Sequence, residues 1–431
     1  MAIAINPYAA WLAVIFALYA YSPVSGAKVD SNLSVSEAVT KAVRDNPSLA
    51  QLRARYDALQ QIPSQVGTLP DPMIGLSAMN FPATNFHRRQ EPMTQVQLSF
   101  MQSIPFPGKL RLQREAAEFD AQAAGLRVEE LRLQIMANVR TIWWQAFYLD
   151  RALETVRSNR KLFREFTQIA RKKYETGTGL QQDVLLAQLE LSKLIDQEIS
   201  LESMRDHQGI TLNILMDLPE QGELGLVSEM KRNLEELQSR EYYFQRAETR
   251  PLLKQKMVQL EAANKRLNSA EKDRLPDFIL GVNYGDRQGD NPNGSSRDDL
   301  LSVMLGVKVP IYASRKQDKA IAQRTSEVQG AVYASQDVRG QVRGAISRSL
   351  TDYSRARKQF ELFESSILPQ SNLTVQSMLS GYRVSQVDFL NLVRAQSTLL
   401  NYELQYWRAF VEAKQSLARL EAAVGEVNIY E

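Results

Sequence analysis

The chain has 431 residues, 44% of them apolar and 23% charged, so it is long enough to bury a large core in one elongated or several compact domains. Its 52 Lys and Arg residues nearly balance 49 Asp and Glu residues, and no basic block predicts nucleic-acid binding. Cysteine is absent and only two histidines are present, which excludes disulfides and thiol chemistry and leaves little material for histidine catalysis.

The N-terminal residues 1–27 are predicted to be a secretory signal peptide. A short apolar run from Ala9 to Ala20 precedes the small residues Ser25, Gly26 and Ala27, which suit cleavage after Ala27. No basic residue precedes the run. The alternative is an N-terminal membrane anchor, for which the run is short.

Residues 28–218 begin with a helical pattern from Leu33 to Gln61, which Asn46 and Pro47 interrupt. Two strands are predicted at about 72–82 and 94–104, joined by a polar loop. The second strand alternates between an apolar face and an uncharged polar face. The apolar face carries Val96, Leu98, Phe100 and Ile104, and the other face carries Gln95, Gln97, Ser99, Met101 and Ser103.

The second strand stops at a strand-to-helix junction. Pro105 and Pro107 cannot continue a strand ladder, and Gly108 releases the backbone into a proline-free helical pattern. Its apolar positions recur about every 3.5 residues, which is typical of a coiled-coil seam. We expect a helix on the order of 100 Å long, then a Gly-containing turn and a returning helix. The helical hairpin is predicted over about 110–217.

The same order of elements recurs after about 206 residues. Asn46-Pro47 corresponds to Arg250-Pro251, and Ile104-Pro105 corresponds to Val309-Pro310. The second repeat is therefore predicted at 219–425, with strands at about 277–286 and 300–309 and a helical hairpin at about 313–424. A second strand-to-helix junction falls at Pro310. Residues 426–431 are predicted to be a C-terminal tail.

Four strands of about ten residues match the length that crosses an outer membrane, but four strands cannot close a barrel. Three copies would give twelve strands, and two would give eight, whose interior is filled by side chains. A conducting pore favours three copies. The alternative is a soluble sandwich of sheet and helices, which would leave such long hairpins without a compact core.

The chain resembles the TolC-type outer-membrane efflux factors from Leu33 to Gly425. The resemblance rests on the duplicated unit, on Pro-Phe-Pro-Gly-Lys at Pro105–Lys109, and on two tip motifs. These motifs are Tyr174-x-x-Gly177 followed by Asp183-Val-Leu, and Tyr382-Arg-Val-Ser385 followed by Asp388-Phe-Leu. The resemblance implies a mostly α-helical homotrimer, with a 12-stranded β-barrel in the outer membrane of a Gram-negative bacterium on a periplasmic α-helical barrel.

The resemblance also implies a passive exit duct without catalysis or cofactor. It would receive substrate from an inner-membrane pump of the RND type through a periplasmic adaptor protein. Four segments look most like the branch that serves heavy-metal efflux pumps: Leu69–Pro72, Asn80–Pro82, Pro92–Thr94 and Phe106–Lys109. Alternatives are a multidrug efflux duct, a type I secretion duct, and a non-transport coiled-coil scaffold of the envelope.

In the resembled family, the helical-hairpin turns form the periplasmic entrance. Asp183 and Asp388 match its acidic positions, and a trimer would then place six carboxylates around one axis. Asn391 stands where some relatives carry a second acid, which predicts a weaker acidic ring. Alternatively, each Asp is simply favoured by the dipole at a helix N-terminus.

Five further residues are predicted at the hairpin tips, where the adaptor would dock: Tyr174, Gly177, Gly381, Tyr382 and Arg383. The tyrosines would pack or hydrogen-bond, and the glycines would permit tight turns or simply end the helices. A gating ion pair of Arg383 is not expected, because the family's turn arginine follows a glycine that Ser385 replaces here.

No metal site is predicted. Methionines cluster in the first strand hairpin, at Met73, Met79, Met93 and Met101. Thioethers suit soft Cu(I), but methionine more commonly faces lipid or fills an irregular interior.

Overall fold

The computed structural model describes residues 33–227, 230 and 232–426. The predicted signal peptide at 1–27 lies outside the described residues, as does the predicted tail except for Glu426.

The first repeat opens with helices α1 (Val35–Asp45), α2 (Pro47–Gln60) and α3 (Ile62–Gly67). Ser34 caps α1 in a capping box, since its hydroxyl accepts from the backbone of Glu37 while the Glu37 carboxylate accepts from the Ser34 backbone. Asn46 caps α2, and Pro47 occupies the first helical position, where its missing N–H costs nothing. These caps explain why the Asn-Pro pair divides the helical pattern into two helices.

Strands β1 (Met73–Met79) and β2 (Gln95–Ile104) form the first strand hairpin, and α4 (Lys109–Glu175) and α5 (Gln181–Leu215) form the first helical hairpin. Strand β1 is shorter than the predicted range of about 72–82. Asn80 has a positive φ of 53°, which takes the backbone out of the extended region directly after Met79. Helix α4 has 67 residues.

The second repeat contains α6 (Arg240–Ala247), α7 (Pro251–Lys272), β3 (Asp277–Arg287), β4 (Leu300–Lys308), α8 (Gln317–Leu362), α9 (Leu368–Arg383) and α10 (Phe389–Val424). A π-helical turn at Phe363–Ile367 joins α8 to α9. Pro369 follows this turn, and a proline cannot donate the backbone hydrogen bond that a regular α-helix needs. The first repeat has one unbroken helix at the corresponding place.

The strands form one antiparallel sheet in the order β1-β2-β3-β4. Leu76 pairs with Leu98, Leu98 with Tyr284, and Tyr284 with Leu301. The predicted apolar faces of the four strands therefore lie on the same side of the sheet. Within the described chain, the outer edges of β1 and β4 have no strand partner. The two repeats therefore contribute neighbouring hairpins to one open sheet.

The helical core lies between the two long helical hairpins. Its centre is an aromatic cluster in which Trp143 stacks on Phe147, and Trp144 meets Phe410 edge to face. Trp143 also donates from Nε1 to the carbonyl of Leu33 at 3.0 Å. A second cluster lies nearer the hairpin turns and includes Phe163 and Phe389.

None of the helices in the described part of the chain combines the length and apolar composition needed to cross a membrane. The sequence-based prediction of a mostly helical chain, with a small sheet and a duplicated strand-hairpin and helix-hairpin unit, is confirmed.

Candidate functional site

The two helical hairpins turn with the same backbone geometry at one end of the molecule. In the first turn the Thr178 amide donates to Lys173 O at 2.8 Å and the Gly177 amide to Tyr174 O at 3.0 Å. In the second turn Gln386 donates to Gly381 O at 2.9 Å and Ser385 to Tyr382 O at 3.1 Å. Each is the double hydrogen bond of a Schellman motif, which requires one residue in the left-handed conformation.

Gly177 and Ser385 are the left-handed residues of the two turns, with φ of 71° and 61°. Glycine adopts this conformation freely, whereas serine does so at a cost of about 1–2 kcal/mol. Gly177 is therefore the helix-ending glycine that the sequence offered as an alternative. Gly381 differs, because it lies inside α9 rather than in the turn. A Cβ on Gly381 would lie 2.5 Å from Cγ2 of Val387, so its role is to admit a close contact.

Gly179, which the sequence interpretation did not single out, is also required by close packing. A Cβ there would lie 2.7 Å from the Lys173 Cβ and 3.1 Å from the Tyr174 backbone nitrogen. The neighbouring backbone cannot move away without breaking the turn.

Lys173 ties the two turns together. Its ammonium group donates to Tyr382 O at 2.6 Å and to Ser385 Oγ at 2.8 Å, and it lies 4.6 Å from the centre of the Tyr382 ring. One side chain from the end of α4 thus satisfies a carbonyl at the end of α9 and holds the left-handed serine. We call this arrangement of Lys173, Tyr382 and Ser385 the tip clasp.

Asp183 and Tyr382 meet beside the tip clasp. The buried Tyr382 hydroxyl donates to Asp183 Oδ2 at a long 3.5 Å. Burial, followed by the charge of Asp183, raises the pKa of Tyr382 to about 12, so the hydroxyl keeps its proton at neutral pH. Burial is also the main cause that raises the pKa of Asp183; repulsion from Asp388 adds to it, while Tyr382 and Lys173 oppose it.

The remaining predicted entrance and tip residues are more exposed. Asp388 is the N-cap residue of α10, but its side chain accepts no capping hydrogen bond, which leaves the carboxylate free for other partners. Asn391, Arg383 and Tyr174 are exposed, and among the described residues Arg383 has no ion pair. The structure therefore joins Asp183 to Tyr382 and places Asp388 near enough for its charge to act on Asp183, whereas the other three lie on the surface.

The strand-to-helix junctions lie at the opposite end of the long helices. Gly108 precedes α4 with a φ of 91° and passes close to Lys272, whose Cε would lie 3.3 Å from a Cβ at this position. Pro105 follows the last residue of β2, and Pro107 lies in the turn. Pro310 occupies the corresponding place after β4. Pro105 directly follows β2 and Pro310 lies two residues after Lys308, so a proline closely follows the end of each of these strands.

The two faces of the sheet differ in chemistry. The apolar face is strongly exposed, with Ile74, Leu76, Leu301, Val303 and Leu305 each at least 70% accessible. A polar row, Gly75, Ser99, Asn283 and Ser302, crosses the other face. So large a patch of exposed apolar side chains marks a surface that meets lipid or another protein.

A row of methionines crosses the polar face next to that polar row. Met73 pairs with Met101, Met101 with Gly281, and Gly281 with Met304. Gly281 has no side chain, and the side chains of Met304 and Met101 occupy the space beside it. A Cβ at this position would lie 3.1 Å from Met304 Cε and 3.6 Å from Met101 Cγ. Met79 pairs with Gln95 at the far end of the hairpin, and Met93 lies in the loop. Only two of the four clustered methionines therefore belong to this row.

Sequence reasoning missed Lys173 and Met304. Lys173 lies 209 residues from its carbonyl partner, so no local pattern links them. The internal repeat could have indicated the contact, because it aligns Tyr174 with Tyr382 and so places the two turns side by side. Met304 could have been found from the predicted strand pairing.

A model of the outer membrane efflux protein family matches residues 38–216 and 243–426. Among solved structures, the chain is similar to the outer membrane protein VceC from Vibrio cholerae, with 18% identity, coverage of 91% of this chain and 96% of that one, and a TM-score of 0.77. It is similar to the open state of the MtrE outer membrane channel of Neisseria gonorrhoeae, with 15% identity, 94% coverage of each chain and a TM-score of 0.75.

The channel-forming protein CusC is similar at 14% identity, with 95% coverage of this chain, 96% of that one and a TM-score of 0.74. A comparison with curated proteins gives no match. At identities below 20%, the solved structures support the fold alone. The family match covers most of the chain and therefore supports membership of the family.

Proposed function

This chain belongs to the outer membrane efflux protein family, and we propose that it is the passive exit duct of a tripartite efflux system. It is an outer-membrane efflux channel that extends into the periplasm. The energy for transport would come from an inner-membrane pump rather than from chemistry on this chain.

The observation that carries this proposal is the two-faced open sheet at one end of the long helices. Its exposed apolar side suits contact with lipid, and its Ser, Gln and Asn side suits a water-filled lumen. Both edges are open within the described chain, and unpaired backbone groups at an edge are costly in lipid. A barrel shared between copies pairs these edges.

A homotrimer also accounts for apolar side chains along the helical hairpins. Helix α5 exposes a stripe at helical spacing, Leu185, Leu189, Ile199, Ile210 and Ile214. In the proposed assembly this stripe packs against a neighbouring copy, and the twelve strands of three copies close the barrel.

We propose that the tips form the periplasmic entrance and the docking point for a periplasmic adaptor protein, which in turn binds an RND-type pump. The exposed Tyr174, Gly177 and Arg383 would face the adaptor. Asp183 and Asp388 would line the entrance with negative charge and favour cations.

Heavy-metal cations are our proposal for the exported substrate. The sequence resemblance to the heavy-metal branch supports it, and so does the methionine row on the proposed lumen face. Thioethers favour soft cations such as Cu(I), whereas hard cations prefer oxygen ligands. Three copies would provide three such rows around the lumen, as transient contacts along an exit path.

The test is a susceptibility panel on a deletion strain with and without the restored gene. We expect sensitivity to copper, silver, zinc, cobalt or cadmium that the restored gene corrects. Broad sensitivity to dyes, detergents and antibiotics would instead assign a multidrug duct. A defect only in polypeptide export would assign type I secretion.

The methionine row makes a narrower prediction within that panel. Restoring the gene with Met73→Leu, Met101→Leu and Met304→Leu together should correct silver and copper sensitivity less fully than the native gene, because leucine keeps the volume and removes the thioether. Met79→Leu with Met93→Leu is the matched control outside the row and should behave as the native gene. Equal correction by both variants would remove the row from substrate handling.

A further inference from the structure

Two opposite charges lie at the two open edges of the sheet. Asp71 is exposed two residues before β1, and Arg315 is exposed in the turn that follows β4, seven residues after Lys308. Neither has an ion-pair partner among the described residues. The edges that carry them also lack strand partners within the described chain.

Within one chain, the place where the first repeat meets the second contains an ion pair between an aspartate and a basic residue. Where β2 passes into α4, the Asp277 carboxylate at the start of β3 accepts from the Phe106 amide at 2.9 Å and from Lys109 Nζ at 2.8 Å. Lys109 is only 5% exposed and also donates to Leu275 O at 3.1 Å. The ring of Phe106 stacks against Phe278, with centroids 6.5 Å apart. We call this joint the internal clasp.

Each residue of the internal clasp has a counterpart at the open edges. The repeat aligns Asp277 with Asp71, and Pro105 with Pro310. The Lys109 amide donates to the carbonyl of the aromatic Phe106, three residues before it, and the Arg315 amide donates in the same way to Tyr312, both at 3.1 Å. Phe106 directly follows Pro105, whereas Tyr312 lies two residues after Pro310, so the second junction has one extra residue. With this residue allowed for, the shared hydrogen bond puts Tyr312 in the place of Phe106 and Arg315 in the place of Lys109.

We propose that Arg315 of one subunit forms an ion pair with Asp71 of the partner subunit, and that this clasp fixes the register of β4 against the partner's β1. The occupant of both open edges is a second copy of this chain. The inference rests on the proposed channel assembly and names the contact that closes it.

The choice of Arg315 over Lys316 follows from the cavity beside β4. Lys316 lines that cavity together with Lys109 and Asp277 of its own chain. The Lys316 amide also donates to Tyr312 O at 3.1 Å, but across four residues, whereas Arg315 repeats the three-residue spacing of Lys109 and Phe106 and is exposed.

The repeat also gives the register between subunits. Replacing β2 by β4 and β3 by β1 in the observed pairing places Leu76 of the partner subunit opposite Leu305, and Ser77 of the partner subunit opposite Met304. This register puts apolar residues on the lipid face and polar residues on the lumen face of both strands. A slip of one residue would reverse the faces of one strand, so the alignment of the repeats agrees with the chemistry of the sheet.

The proposed contact between subunits also covers side chains that are exposed in a single copy. Val309, Ile311 and Tyr312 are 60%, 75% and 70% exposed, whereas Phe106 in the internal clasp is half-buried. By the repeat, Tyr312 packs on Pro72 of the partner subunit as Phe106 packs on Phe278. Burial of these side chains adds to the ion pair.

A cysteine pair tests the register directly, because the native chain contains no cysteine. We expect Ser77→Cys with Met304→Cys to give disulfide-linked dimers and trimers under mild oxidation, since directly opposite Cβ atoms lie about 4.5–5.5 Å apart. Ser77→Cys with Ser302→Cys is the control on the same face, displaced by two residues, and should give at least tenfold less linked product.

Charge reversal tests the clasp. Asp71→Arg alone and Arg315→Asp alone should each lower the temperature at which the trimer dissociates in detergent, and the double variant should recover most of the loss. The double-mutant comparison isolates the pair from any effect of either variant on folding.

The outcomes separate this inference from the proposed function. Channels that conduct, with cross-links only in the displaced pair or in neither pair, would overturn the register. The ion pair would be overturned if neither single variant lowered the dissociation temperature. It would also be overturned if the decrease in the double variant equalled the sum of the two single decreases. A purified protein that forms no channels and no oligomer would overturn the proposed function itself.

Discussion

At the scale of single residues, Lys173 joins the ends of the two hairpins. Its charged ammonium group donates two hydrogen bonds and lies over the Tyr382 ring. No other described side chain donates to both Tyr382 and Ser385. Its removal should free the tips without disturbing the aromatic core farther along the helices.

We therefore predict that Lys173→Met raises the open probability of the channel. The loss of about 1–2 kcal/mol of net stabilisation would shift the balance between joined and separated tips by about 5- to 30-fold. Single-channel recording measures the change. Lys172→Met is the matched control, because this neighbouring side chain is exposed and makes no hydrogen bond within the described chain. Equal behaviour of the two variants would show that the tip clasp does not restrain the entrance.

Asp183 predicts a pH dependence of ion selectivity. Because its pKa is raised, mainly by burial, it takes up a proton at a higher pH than an ordinary aspartate, and its folded environment disfavours the charged form. Its contribution to stability is therefore largest below the ordinary pKa of 3.8 and declines as pH rises through the raised pKa. Cation preference should fall as pH falls through the same range.

Reversal potentials between neutral pH and pH 4 check this expectation. Asp183→Asn should remove the upper part of the pH dependence, and Asp183→Asn with Asp388→Asn should lower cation preference and divalent-cation block at neutral pH. Unchanged selectivity in the double variant would remove both carboxylates from the entrance.

At the scale of elements, the alternation in β2 and the repeat sufficed to predict the strands, the sheet faces and the helical hairpins. Periodicity predicts such elements well because each long element buries one continuous face, as Val139 and Val156 do on α4. Features that depend on one distant contact were not predictable in this way. Gly381 illustrates the limit, since its need for a small side chain comes from Val387 across the turn.

The turn at Gly177 yields a prediction at this scale. A bulky residue such as leucine should impair efflux while the trimer still assembles, because it must adopt a left-handed φ of 71° on a surface proposed to meet the adaptor. A Cβ here meets nothing within 4 Å, so the subunit itself has room for a side chain. Gly177→Asn is the control, since asparagine tolerates this φ and is small.

Resistance of the restored deletion strain, together with trimer content on a gel, measures both parts of the prediction. Native resistance with Gly177→Leu would show that this turn does not contact the adaptor.

At the scale of the whole molecule, the proposed channel depends on a sheet that is incomplete in one chain. A single chain exposes an apolar strand face and two open edges, and it also exposes an apolar stripe on α5. These features are costly for an isolated chain, and one assembly of three copies in an outer membrane covers them together.

Whether the chain forms an exit duct can be decided by single-channel recording of the purified native protein, reconstituted as its detergent-stable oligomer in planar lipid bilayers. An exit duct should give discrete, long-lived conductance steps that prefer cations and require no partner protein or energy source. An assembled oligomer that inserts into the bilayer yet passes no current, with or without the tip clasp, would contradict an exit duct and favour a non-transport scaffold.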